Sequence, residues 1–160
     1  MWSWWPFCGA VNLPYLSQSG YDIIMRVKNR ILIADTDRPM LHDFAEYLQE
    51  NGFSPITTQS TVGALTQLIE ARPSIDLFLV DLEIAKAGDW HLIRYIRRTL
   101  AITPVQLPIV VFTSVLGVDI EMTFMREEIN DWLEKPICPL ALLLPKIRAL
   151  LGQEGAISGK

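Results

Sequence analysis

The feature that most constrains this chain is an alternation. Short apolar runs, RILIAD, DLFLVDL and PIVVFTS, are separated by segments whose apolar residues recur at helical spacing. Runs of this kind, without a polar face, suit parallel strands buried on both sides. From Arg38 to about Asn51, residues Leu41, Phe44, Ala45 and Leu48 fall at i, i+3, i+4 and i+7, with Gly52 as the stop. SPITT reads as a second strand. A second helix is expected from the cap Ser60, with Leu65, Leu68 and Ile69 inward, ending before Pro73. A third is expected from about Asp89 to Leu100, with Ile93 and Ile96 inward and Arg94, Arg97 and Arg98 outward. A fourth covers about Val118 to Glu128, and DWLEKP reads as the fifth strand. The last helix begins near Pro139 and ends near Leu151, with Pro145 expected to kink or delay it. Repeated strand–helix units with right-handed crossovers imply an α/β fold: a doubly wound, five-stranded parallel sheet in the order 2-1-3-4-5. Ligands of such sheets bind at the carboxyl ends of the first and third strands.

Composition narrows the field further. Half of the 160 residues are hydrophobic and a fifth are charged, which excludes disorder throughout. A net charge of −4 argues against a dedicated nucleic-acid binder. Cys8 and Cys138 make neither a disulfide framework nor a zinc cluster, which fits the reducing cytoplasm. No apolar run reaches the roughly 18 residues needed to cross a bilayer. Residues 1–28 hold three of the five tryptophans and show no period, so they read as an extension upstream of a domain at 29–151, with a flexible tail at 152–160. Trp2, Trp4, Trp5 and Phe7 suit a membrane surface, but a plain extension explains them better.

The strand ends carry the chemistry. The first strand ends in Asp35, followed by Thr36 and Asp37; the third ends in Asp81; the fourth ends in Thr113 and Ser114; the fifth ends in Lys135 and Pro136. In a parallel sheet these ends share one edge. Clustered carboxylates repel one another, and a hard divalent cation with bound water relieves this. An ammonium and a hydroxyl then suit phosphoryl oxygens, and a carboxylate can itself be the nucleophile. Each residue alone has an ordinary explanation; Asp37, for instance, reads first as a helix cap. Their joint placement is what points to a site.

These segments resemble the receiver domain of two-component response regulators, a (βα)5 flavodoxin-like fold. ILIADTDRPML resembles its first strand and acidic pair, LFLVDLEIAKAGDWHLIRYIRR its phosphoacceptor segment, LPIVVFTS its switch-threonine strand and NDWLEKPI its lysine–proline segment. The resemblance implies that Asp81 is phosphorylated and that Mg²⁺ is held by Asp35, Asp81 and the Glu83 carbonyl. It further implies that Thr113 and Lys135 contact the phosphoryl group, that Thr113 and Trp132 act as switch residues, and that Lys135–Pro136 is often cis. It implies a signalling domain, an enzyme only for its own phosphotransfer and autodephosphorylation, and with nine residues after the last helix a stand-alone one is expected. The partners implied are a sensor histidine kinase or phosphotransfer protein and a downstream protein on the face of the fourth helix, fifth strand and fifth helix, with a homodimer left open. Three departures stand out. Thr36 replaces the second acid, and Asp37 is the only nearby substitute. Ala85 and Gly88–Asp89 replace a proline and an Asp-Gly pair. Trp132 replaces a tyrosine or phenylalanine. Two alternatives follow. One is a pseudo-receiver that binds partners without phosphate control. The other is a haloacid-dehalogenase-type phosphatase with Asp35 as nucleophile and Asp37 as acid. The phosphatase lacks an acid after Lys135 other than Glu154 and has Pro39 where threonine is favoured.

Overall fold

A computed structural model describes residues 28–153 apart from 72, 73, 116, 138 and 139. Among them are β1 (Arg30–Ala34), β2 (Ser54–Thr58), β3 (Leu77–Asp81), β4 (Ile109–Thr113) and β5 (Asp131–Glu134). They form one sheet in the order β2-β1-β3-β4-β5, every pairing parallel. The helices are α1 (Arg38–Glu50), α2 (Thr61–Glu70), α3 (Leu82–Arg94), α4 (Val118–Arg126) and α5 (Leu143–Leu150). The doubly wound order expected from the alternation of elements is the one observed.

Because strand side chains alternate across the sheet, the three central strands feed two cores. Leu32, Ala34, Phe78, Val80, Ile109 and Val111 face one side with Ala64 and Leu68 of α2, Leu92 and Ile93 of α3 and Phe124 of α4. Ile31, Ile33, Leu77, Leu79, Val110 and Phe112 face the other with Leu41, Phe44 and Leu48 of α1 and Leu143 and Ile147 of α5. Phe44 meets Phe112 edge to face at 5.1 Å. Double-sided burial is why β3 and β4 carry no polar residue before their final positions.

Local signals behave as their chemistry requires. Asp37 caps α1, accepting from the Met40 N–H at 3.1 Å, and Ser60 caps α2, accepting from Gly63 at 3.0 Å. A Cβ on Gly63 would lie 2.1 Å from Thr58 Oγ1, so any larger residue there would force the Thr58 side chain to move. Pro145 falls at the third position of α5, where a missing N–H breaks no helical bond, so it delays the helix rather than kinking it. The start is a 3₁₀ turn at Leu140–Leu142.

Several expectations are corrected. A helical segment capped by Asp81 precedes the expected third helix, starting at Leu82; the chain leaves helical geometry at Ala87–Trp90, and the expected helix follows from there and closes as a π-type turn over Tyr95–Thr99. Ile69 is 53% exposed, and Ala64 takes its place on the buried stripe of α2. Arg97 points inward. Its five N–H groups reach the carbonyls of Ile102, Leu107 and Glu128 and Asn130 Oδ1, at 3.0–3.2 Å. Two loops are thereby closed by one side chain, which periodicity cannot foresee. Burial pushes its pKa down to about 10, so the guanidinium is charged at neutral pH. The fourth helix stops at Arg126, because Glu128 turns left-handed at φ 57°. The expectations for residues 1–27, including membrane contact, and for the tail beyond 153, Pro73 and Pro139 lie outside the described residues. Among the described residues, no helix is long and apolar enough to cross a membrane.

Candidate functional site

Sheet register brings the candidate residues together. Ala34 pairs with Val80, so the next residues, Asp35 and Asp81, emerge side by side. Asp81 pairs with Phe112, placing Thr113 one step beyond it. Thr113 pairs with Glu134, and the Lys135 N–H then donates to the Thr113 carbonyl at 2.7 Å. Asp35 and Asp81 are 1% and 7% exposed, at the bottom of the carboxyl edge.

Lys135 joins the two acids. Its Nζ donates to Asp35 Oδ2 at 2.8 Å and to Asp81 Oδ1 at 2.6 Å. The second oxygen of each acid accepts a backbone N–H: Asp37 to Asp35 at 2.9 Å, and Glu83 to Asp81 at 2.8 Å. Each carboxylate is thus aimed by its own following turn, with one oxygen left toward the centre. Two carboxylates and one ammonium leave a net charge of −1. Burial of the ammonium by itself would lower the lysine pKa. The hydrogen bonds to Asp35 and Asp81 and their charges outweigh that, and the net pKa is raised.

The other candidates are placed as follows. The buried Thr113 hydroxyl donates to the Val115 carbonyl at 2.6 Å and accepts from the Val115 N–H at 3.0 Å, so it is engaged in its own loop. Thr36 is exposed at the rim, and Asp37 is exposed and occupied as the cap of α1, so Asp37 does not fill the place of the second acid. The Glu83 side chain points outward to Lys86 at 2.7 Å, leaving only its backbone beside Asp81. Trp132 is half-buried, 5.5 Å from the ring of Phe124, which also meets Trp90 at 5.9 Å. The Lys135–Pro136 peptide is cis. A cleft of about 660 Å³ opens beside Lys135, with Asp37 and Asp43 on its rim and Met40, Phe44, Ile137 and Leu140 among its lining.

Among the described residues, no group of three or more histidine, cysteine or acidic side chains is set to hold a metal. Two convergent carboxylates still suit Mg²⁺, which keeps several waters and asks for only one or two carboxylates.

Comparison with known proteins agrees with the geometry. A family model described as the response regulator receiver domain matches residues 31–147. The response regulator MprA of Mycobacterium sp. (strain KMS) is 31% identical over 122 residues, covering 76% of this chain and 50% of that protein. The chain therefore spans about half the length of the curated relatives it matches. Among solved structures, a two-component response regulator from Clostridium difficile superposes with a TM-score of 0.67 at 24% identity, over 81% of this chain and 100% of the other. The beryllofluoride-activated NtrC4 receiver domain dimer does so with a TM-score of 0.66 at 21% identity, over 78% and 98%. At these identities the two structures speak for the fold alone.

Proposed function

This chain belongs to the response regulator receiver domain family, and on that footing we propose that residues 29–151 accept a phosphoryl group on Asp81. The donor is the phosphohistidine of a sensor histidine kinase or of a phosphotransfer protein. Asp81 Oδ1 attacks phosphorus as the P–N bond breaks, and the electron pair leaves with the imidazole, which takes up a proton. The observation that carries this reading is the Lys135 ammonium held between two buried carboxylates at 2.6 and 2.8 Å. An ammonium so placed can pass from the carboxylates to incoming phosphoryl oxygens without leaving the pocket. Thr113 donates to a second oxygen after its hydroxyl turns from the Val115 carbonyl.

Asp35, Asp81 and the Glu83 carbonyl are the residues that would hold Mg²⁺, which when bound supplies positive charge between the acids and the phosphoryl oxygens. Thr36 contributes no charge, so the chain relies more heavily on Asp35 and Asp81. The domain is a signalling module that catalyses only its own phosphorylation and dephosphorylation. It works in the cytoplasm, and its output runs through the face of α4, β5 and α5, to a downstream protein or a second copy of the chain.

Incubation of the full chain with acetyl phosphate and Mg²⁺ should add the mass of one phosphoryl group, absent in Asp81→Ala. No gain in wild type, or an equal gain in the variant, overturns the proposal. The first of these outcomes would support the pseudo-receiver reading, which the exposed Thr36 favours.

A further inference from the structure

The break in α3 and the C-terminal end of α4 share one set of contacts. Gly88, Asp89 and Trp90 lie consecutively in the left-handed region, at φ 62°, 59° and 63°. Glycine adopts this conformation freely; for Asp89 and Trp90 it carries a steric cost that neighbouring structure must sustain. Trp90 meets α4 directly, and Asp89 reaches it only through Arg94 of its own helix. Asp89 Oδ2 accepts from Arg94 Nη1 at 2.7 Å, and the same arginine grips Glu127 Oε1 through Nε at 3.0 Å and Nη2 at 2.7 Å. Glu127 is the residue that closes α4, and its side chain is only 1% exposed. Arg98 reaches its other oxygen at 3.4 Å. Trp90 packs edge to face on the buried ring of Phe124, in the middle of α4. One residue on, Arg97 donates twice to the carbonyl of Glu128.

The rest of α4 is held far less. Gly117, just before it, gives no side-chain cap, and Val118, Met122 and Met125 line one face at 72%, 55% and 72% exposure. The helix is clamped at one end and on one side, while its other end adjoins the loop that engages the Thr113 hydroxyl.

We infer that the Gly88–Trp90 turn and the Arg94–Glu127–Arg98 cluster form a latch fixing the C-terminal end of α4 to α3. Asp81 caps α3, so a short stretch of chain, broken at Ala87–Trp90, runs from the candidate acceptor to the latch, and α4 pivots at its latched end. The Trp90–Phe124 and Arg94–Glu127 contacts are the ones that join the two elements, so breaking them frees α4 without touching the carboxylate pocket. Its use in regulation rests on the phosphoacceptor reading; its mechanics do not.

Hydrogen exchange on the full chain tests it directly. In Glu127→Gln, amides of residues 120–127 should exchange at least tenfold faster than in wild type, while β1 and β3 amides stay within twofold. Arg94→Lys keeps the charge but loses the fork, and should give an intermediate acceleration; it carries the test if Glu127→Gln does not fold. Exchange in α4 within twofold of wild type in a folded variant overturns the latch, as does equal acceleration across the sheet, which would mean general destabilisation. With acetyl phosphate and Mg²⁺, Glu127→Gln should reach a given phosphorylated fraction at least threefold faster than wild type; an unchanged rate overturns the regulatory role. If wild type gains no phosphoryl group, the acceptor reading falls while the exchange result still decides the latch.

Discussion

Replacing Lys135 with methionine tests the centre of the site. The substitution keeps much of the chain's apolar stem and removes the one cation that bridges Asp35 and Asp81. Both carboxylates remain buried, at 1% and 7% exposure, each retaining a single backbone N–H bond. Removing one partner of a fully buried ion pair costs about 3–5 kcal/mol. The Lys135 side chain is 22% exposed, so solvent already screens part of the interaction, and a loss of about 2–3 kcal/mol at pH 7 is expected. That is a large share of the ~5–15 kcal/mol that holds a typical domain folded. Mg²⁺ should restore part of the loss, since it answers the same charge. Urea unfolding at pH 7, with and without Mg²⁺, reads both effects. A deficit below about 0.5 kcal/mol would place the pair with ordinary exposed ion pairs and refute the reasoning.

Thr36→Asp adds a third acid at the rim and should tighten Mg²⁺ binding at least tenfold by isothermal titration; unchanged affinity would show that position 36 does not face the metal. In wild type the raised pKa of Lys135 stabilises the fold fully below the ordinary lysine value of about 10.4, and that contribution is lost as pH rises through the higher folded value. Alkaline unfolding should therefore show a stability decline that Lys135→Met lacks. Arg97→Met leaves the carbonyls of Ile102 and Leu107 without this donor and should cost about 3 kcal/mol in urea unfolding. A loss under 1 kcal/mol would mean that water replaces the guanidinium there.

What was legible in the sequence follows from what is local. The apolar runs at Ile31–Ala34, Leu77–Val80 and Ile109–Phe112 show their burial directly, since a strand covered on both faces has no place for a polar side chain. The caps Asp37 and Ser60 bond three residues along the chain, so their signals also lie within one turn. Once the order of strands was inferred, the shared edge of Asp35, Asp81, Thr113 and Lys135 followed from topology. The break in α3 was not legible, because three left-handed residues ending in a tryptophan run against local preference and persist through contacts with α4. Nor was the inward turn of Arg97: its partners lie 5 to 33 residues away, and an arginine on a helix ordinarily reads as solvent-facing.

The chain by itself thus determined the α/β alternation, the sheet order and the set of residues at the carboxyl edge, because periodicity and strand-end chemistry are properties of neighbouring residues. Only the tertiary structure decided how those residues meet. Lys135 lies 100 residues from Asp35, yet its ammonium bridges both acids, while Thr113 bonds its own loop and Asp37 turns to cap α1. Distances of that kind depend on sheet register and on competition among nearby donors and acceptors, which exist only after the strands have come together.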